Sequence, residues 1–154
     1  MKIEHRIGVK APAEVVWEIL FDVAGWPAWN PLYPEAAGAV RFGEKLKLTL
    51  ALPDQNPRVI EPVILDWAPN EAIHWQWSSP YGLVRTIRYL EIEVMSPTGC
   101  IFSNGEIYQG LLGASTARRT RETLKSGFTA LGEAMRDRAE ALWRKRSGKT
   151  KKAK

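Results

Sequence analysis

Between Thr116 and Arg146 the chain runs about thirty residues without a proline. Leu124, Phe128, Leu131, Met135, Ala139 and Leu142 recur there at intervals of three and four, a single apolar stripe at helical period. Arg118, Arg119, Lys125, Glu133, Arg136, Asp137, Glu140 and Arg144 fill the remaining face. Ser115 or Thr116 can cap the start, and Gly148 stands past the expected end. A long helix that is greasy on one side only is not stable alone in water, so the rest of the chain must supply a surface for it. Gly127 and Gly132 within the stripe, and its length of barely three heptads, argue against a coiled-coil arm.

The preceding residues supply that surface as strands. Residues 2–9 alternate, with Ile3, His5, Ile7 and Val9 in one phase. His5 in that phase reads as a core or rim histidine rather than a ligand. Pro12 suits the first position of a short helix that buries Val15, Val16, Ile19 and Leu20, and Gly25 breaks it. The segment Trp26 to Pro31 has room only for a second short helical turn. From residue 38 the period becomes two: Leu46, Leu48, Leu50 and Leu52 alternate with polar residues, and Arg58–Trp67 is β-rich with Pro62 marking an edge or bulge. Ala72–Ser78, Val84–Val94 and Cys100–Tyr108 complete a run of about six further strands joined by turn clusters. The predicted fold class is α+β: a curved antiparallel sheet of about seven strands around a long C-terminal helix, with two short helices after the first strand. A gap where the helix stands off the sheet is a pocket.

With 154 residues, a single domain at 1–146 is expected. The net charge of +5 is misleading until it is located. Lys145, Arg146, Lys149, Lys151, Lys152 and Lys154 are six cations with no acid among them; without these six, sixteen cations face seventeen acids, a net charge of −1 over residues 1–144. Residues 147–154 therefore read as a disordered basic tail with at most a weak polyanion contact, and no specific nucleic-acid function is expected. The N-terminus lacks the apolar run of a signal peptide and no span approaches the length of a transmembrane segment, which points to the cytoplasm, as a monomer or dimer.

No nucleophile, metal or phosphate-binding motif is present, and one cysteine with two histidines gives no basis for a metal or cofactor. Cys100 reads as a small core residue and His74 as water-facing. The chemistry left is a set of residues in the inward phase of the strands. Trp29, Tyr33, Trp75, Trp77, Phe102 and Tyr108 could line a cavity for a flat or elongated apolar ligand, or could be plain core. Arg88, Asn104 and Glu106 are more informative, because a polar group turned toward a core is costly unless paired or wet. If Met95–Gly99 is a hairpin loop with Val94 opposite Cys100, then Ile92 meets Phe102, Leu90 meets Asn104, and Arg88 meets Glu106. That register predicts an Arg88–Glu106 ion pair facing the helix, the alternative being that both lie in water at an open end of the sheet.

Residues 9–31, VKAPAEVVWEILFDVAGWPAWNP, resemble the opening signature of the START-like (SRPBCC) superfamily, and most of all its polyketide cyclase/dehydrase and lipid-transport branch. Leu48–Leu52, Pro62, Ala72–Trp77, Tyr89–Glu93 and the run from Gly105 to Leu112 follow in the matching order, so the resemblance covers residues 1–145. It implies the helix-grip fold around an apolar cavity, and an acid at Glu106 is common there, whereas an arginine at 88 is not explained by it. The expected function is to bind or carry a small hydrophobic ligand such as a lipid, isoprenoid or polyketide-like compound. The alternative is a cyclase or dehydratase acting on a polyketide-like carbonyl compound, with Glu106 or Arg88 moving a proton or polarising a carbonyl. A third possibility is an interaction module that uses its surface and basic tail.

Overall fold

The computed structural model describes the backbone of residues 1–152 and the side chains of residues 1–148. Eight strands form two antiparallel sheets. The larger has the order β1-β8-β7-β6-β5, built from β1 (Lys2–Val9), β5 (Val63–Ala68), β6 (Ala72–Ser78), β7 (Arg85–Ser96) and β8 (Gly99–Gln109). The smaller has the order β2-β3-β4, from β2 (Glu35–Ala37), β3 (Lys47–Leu50) and β4 (Arg58–Ile60). Between β1 and β2 lie the helix α1 (Ala13–Phe21) and a 3₁₀ turn (Val23–Ala28); the helix α2 (Gly113–Lys152) closes the chain.

The expected single sheet of seven strands is thus eight strands in two sheets, and Pro62 explains the split. The β-rich run from Arg58 to Trp67 breaks at Glu61-Pro62, where proline has no N–H for a ladder. The Pro62 carbonyl instead accepts from the Leu46 N–H at 2.9 Å, and Lys45 bridges to Val63, so the sheets touch at this corner. The extra strand is β2, too short to show alternation in sequence.

The stripe on α2 is buried as its spacing requires: Leu124, Phe128, Leu131, Met135 and Ala139 all lie in the core. Two glycines let the helix come close. A Cβ on Gly132 would lie 2.5 Å from Nδ1 of His5, and one on Gly127 3.1 Å from the side chains of Leu32 and Leu52. The helix starts at Gly113, three residues before the predicted start, and runs through Gly148 to Lys152. The expected disordered tail thus lies within this helix as far as Lys152, since a single glycine costs a helix only about 1 kcal/mol; residues 153–154 lie outside the described residues. Pro12 sits at the cap of α1 rather than at its first helical position. Among the described residues no helix is long and apolar enough to cross a membrane.

Candidate functional site

The β7–β8 hairpin fixes the geometry. Val94 pairs with Cys100, Ile92 with Phe102, Leu90 with Asn104 and Arg88 with Glu106, the register that alternation predicts. The two polar residues of the last pair nevertheless turn away from each other. Arg88 reaches toward the hairpin end, where Nη2 donates to Asn104 Oδ1 at 2.9 Å and Nη1 to the carbonyls of Gly105 (3.1 Å) and Tyr89 (3.4 Å). Its Nε donates to the Tyr33 hydroxyl at 3.1 Å, and its guanidinium lies 4.1 Å from the centre of the Phe128 ring on α2. Asn104 completes the set by donating from Nδ2 to the Phe128 carbonyl at 3.0 Å. The predicted Arg88–Glu106 ion pair does not form: the guanidinium fork is filled by neutral acceptors and one ring face, in a space only 1% exposed.

Tyr33 is delivered to this network by a local turn, in which Asn30 Oδ1 accepts from the backbone N–H groups of Leu32 and Tyr33 at 3.0 and 3.2 Å. Its ring stacks on Trp26 and meets Trp75 edge-on, centroids 5.7 and 5.9 Å apart. Burial pushes the Tyr33 phenol above its ordinary range, against the pull of the Arg88 charge, so it stays a neutral partner.

Glu106 points the other way, into a cavity of about 360 Å³ enclosed by β3, β4, β6–β8 and the first turns of α2. Leu50, Leu52, Ile60, Trp75, Val84 and Leu124 make its apolar wall, and Trp77 lies at its rim. The polar members are Gln55, Arg58, Ser79, Thr86, Glu106, Tyr108, Thr116, Arg119 and Thr120. The Tyr108 hydroxyl donates to Glu106 Oε2 at 2.6 Å. Burial first, and then the adjacent Glu106 carboxylate, push this phenol well above its usual value, so it remains a proton donor. Among the described residues Oε1 of Glu106 has no partner, although it is not sealed from the cavity. A cavity of this size with a few convergent polar groups fits a small organic ligand.

Of the nine residues predicted to contact a ligand, Trp75, Trp77, Glu106 and Tyr108 line this cavity. Tyr33, Arg88, Phe102 and Asn104 do not: they are buried core, because inward phase on a strand says which face a side chain takes and not whether a neighbour fills the space beyond it. Trp29 is carried by the 3₁₀ turn to a separate groove of about 570 Å³ between α1 and the later turns of α2, with Glu18, Asp22, Arg138 and Lys145. That groove is larger and has four charged side chains in its wall, whereas the cavity at Glu106 has the more apolar wall. Arg58 and Arg119 were not singled out in sequence, where exposed arginines on an edge strand and a helix face are ordinary.

Cys100 is buried beside β1, and burial above all pushes its thiol up to about 11, so it is inert. Among the described residues no group of three or more metal-ligating side chains comes together.

A family model described as polyketide cyclase / dehydrase and lipid transport matches residues 1–140. The chain belongs to this family. Solved structures agree with the fold. A protein from Mesorhizobium loti is similar at 15% identity over 92% of this chain and 98% of that one, with a TM-score of 0.71. A START superfamily protein from Mycobacterium smegmatis shares 20% identity over 92% and 98%, TM-score 0.69. The Zhui aromatase/cyclase from Streptomyces sp. R1128 shares 15% over 96% and 95%, TM-score 0.64. No curated protein sequence matches.

Proposed function

We propose that this family member binds a small, largely apolar molecule in the cavity beneath the first turns of α2, with the molecule's hydroxyl or other hydrogen-bond donor directed at Glu106. The observation that carries this reading is the free Oε1 of Glu106 in a cavity that pairs a broad apolar wall with a few polar groups. A half-buried carboxylate short of a partner favours a ligand that donates to it. Trp75 and Trp77 supply flat apolar surface beside it. The likeness of the fold to a START superfamily protein and to an aromatase/cyclase is consistent with a cavity that takes a ring or chain.

Naphthol, a fused aromatic ring with one hydroxyl, is a suitable probe. It should quench emission from Trp75 and Trp77, and Glu106→Gln should weaken the response about tenfold, the loss of one charge-assisted hydrogen bond. A naphthol response unchanged in Trp77→Phe and in Glu106→Gln would place binding elsewhere. Native mass spectrometry of freshly purified protein tests whether a ligand is retained from the cell.

A second reading, a cyclase or dehydratase, is favoured by the Glu106–Tyr108 pair itself. A carboxylate oxygen faces the cavity, where it could accept a proton from a substrate, and the Tyr108 hydroxyl holds the other oxygen in place. Arg88 has no part in it, being sealed behind the cavity wall. Turnover of a polyketide-like carbonyl compound that Glu106→Gln abolishes would favour this reading over simple carriage.

A further inference from the structure

Two turns stand out beside the cavity, next to its wall residues Ser79, Val84 and Thr116. One is the 3₁₀ turn Pro80–Gly82, in which Tyr81 adopts φ 63°, a left-handed conformation costly for a bulky side chain, and holds its ring 99% exposed. The other is the turn from β8 into α2, where Leu111 is 91% and Leu112 48% exposed. The turns are fastened together. The Leu112 N–H donates to the Leu83 carbonyl at 3.0 Å, and a Cβ on Gly110 would lie 2.5 Å from that same oxygen. Leu83, 39% exposed, completes the cluster.

The charge around these turns has one sign. From Ala72 to Leu90 and from Ile107 to Arg121 the chain contains no aspartate or glutamate, while Arg85, Arg118, Arg119 and Arg121 are exposed. Glu106, between those segments, faces into the cavity, and the first acid of α2 is Glu122. Arg58 and Arg119 flank the cavity opening itself.

From this arrangement we infer that the Tyr81–Leu83 and Leu111–Leu112 turns form a docking surface for an anionic lipid bilayer. Tyr81 and Leu111, apolar tips that touch almost nothing of their own fold, suit the fluid boundary between headgroups and acyl chains, where no complementary solid surface is needed. A tyrosine is suited to that depth, with an apolar ring and a polar end. The exposed arginines near the turns match the sign of acidic headgroups. A second copy of the chain fits less well, because a two-fold contact through this end would set like charges against each other. Docked in this way, the cavity opening would face the bilayer. The inference does not depend on which molecule the cavity holds.

The test is sedimentation of the full chain with vesicles of equal parts phosphatidylcholine and phosphatidylglycerol, beside vesicles of phosphatidylcholine alone. Binding should be tighter to the anionic vesicles and weaken with salt. The pair Tyr81→Ser and Leu111→Ser should weaken it at least about tenfold, and Arg85→Gln with Arg118→Gln by about fivefold per residue. Val94→Ser, an exposed apolar residue by the far hairpin, should leave it unchanged. Unaltered melting temperatures confirm that the variants fold. Absence of binding to anionic vesicles overturns the proposal. So does binding that salt abolishes but the Tyr81 and Leu111 changes leave intact, since general charge, the C-terminal lysines included, then carries it. Self-association, or capture of an acidic protein, that Tyr81→Ser abolishes while vesicle binding is absent would assign the turns to a protein partner instead.

Discussion

Arg88 and Glu106 sit opposite each other on neighbouring strands, yet they belong to regions of opposite character. Around Arg88 nearly every polar atom is answered: Tyr33, Asn104 and two carbonyls take its N–H groups, Asn104 passes the connection on to α2, and Phe128 covers the cation. Around Glu106 one bond is made, one oxygen is open, and two arginines stand by without an ion pair among the described residues. A saturated polar cluster holds the sheet to the helix and has nothing left for a ligand. An undersaturated one is where a ligand has something to gain. The difference separates structure from function more sharply than burial or residue type does.

The largest effect expected from this contrast is on Arg88. Arg88→Ala would strand Tyr33, Asn104 and the Gly105 carbonyl in a dry space, and should cost about 3–5 kcal/mol in a denaturant titration. Asn104→Ala removes one link from Arg88 and one from the Phe128 carbonyl, and should cost about 1–3 kcal/mol. Across the strand, Tyr108→Phe and Glu106→Gln should each change stability by less than about 1 kcal/mol, while reducing naphthol binding. If Glu106→Gln instead destabilised as much as Arg88→Ala, the two regions would be one network and the distinction would collapse.

A double-mutant cycle between Arg88 and Glu106 sharpens the point. Two residues in the same register but with separate partners should show a coupling within about 0.5 kcal/mol. A coupling of several kcal/mol would restore the ion pair that the register alone suggests.

The smallest effect concerns His5, which pairs with Asn104 across β1 and β8 and lies under Gly132. Its Nδ1 is buried without a partner. Desolvation lowers its pKa below the ordinary 6.5, with Glu133 pulling it up and Lys125 pushing it down. The folded protein thus binds the proton less readily than the unfolded chain, so the stability is fully present above about pH 6.5 and is lost as pH falls below that value. His5→Gln should flatten that part of the stability profile, and an unchanged slope would show that other groups govern it.

Much of this molecule can be read from alternation and helical spacing. The stripe on α2 and the hairpin register depend on backbone periodicity, which repeats from residue to residue and so leaves a trace in the chain. The contents of the site do not repeat. Nothing near Arg88 in sequence announces Tyr33, 55 positions away, as a partner. Trp29 and Phe102 have the residue type and phase of cavity walls, but one is carried to another groove and the other is packed over. Arg58 and Arg119 gain meaning only because β4 and α2 bring them to the same opening. A strand shorter than one full alternation, such as β2, escapes for a simpler reason: three residues have no period.

The close approaches of α2 have a mechanical consequence. At Gly127 and Gly132 the helix has no side chain of its own, so Leu32, Leu52 and His5 press directly on its backbone, and the Asn104 bond to the Phe128 carbonyl falls between these two points. A sliding or rolling motion would drive neighbouring side chains into backbone, so this stretch acts as a clamp. The first turns, from Gly113 to Leu124, form the arm of a beam held at that clamp and fastened at its start by the Leu112–Leu83 hydrogen bond. A guest bulkier than the present cavity must therefore lift that arm or displace the small β2-β3-β4 sheet. The larger sheet, tied to the clamped stretch, serves as the anvil against which either movement works.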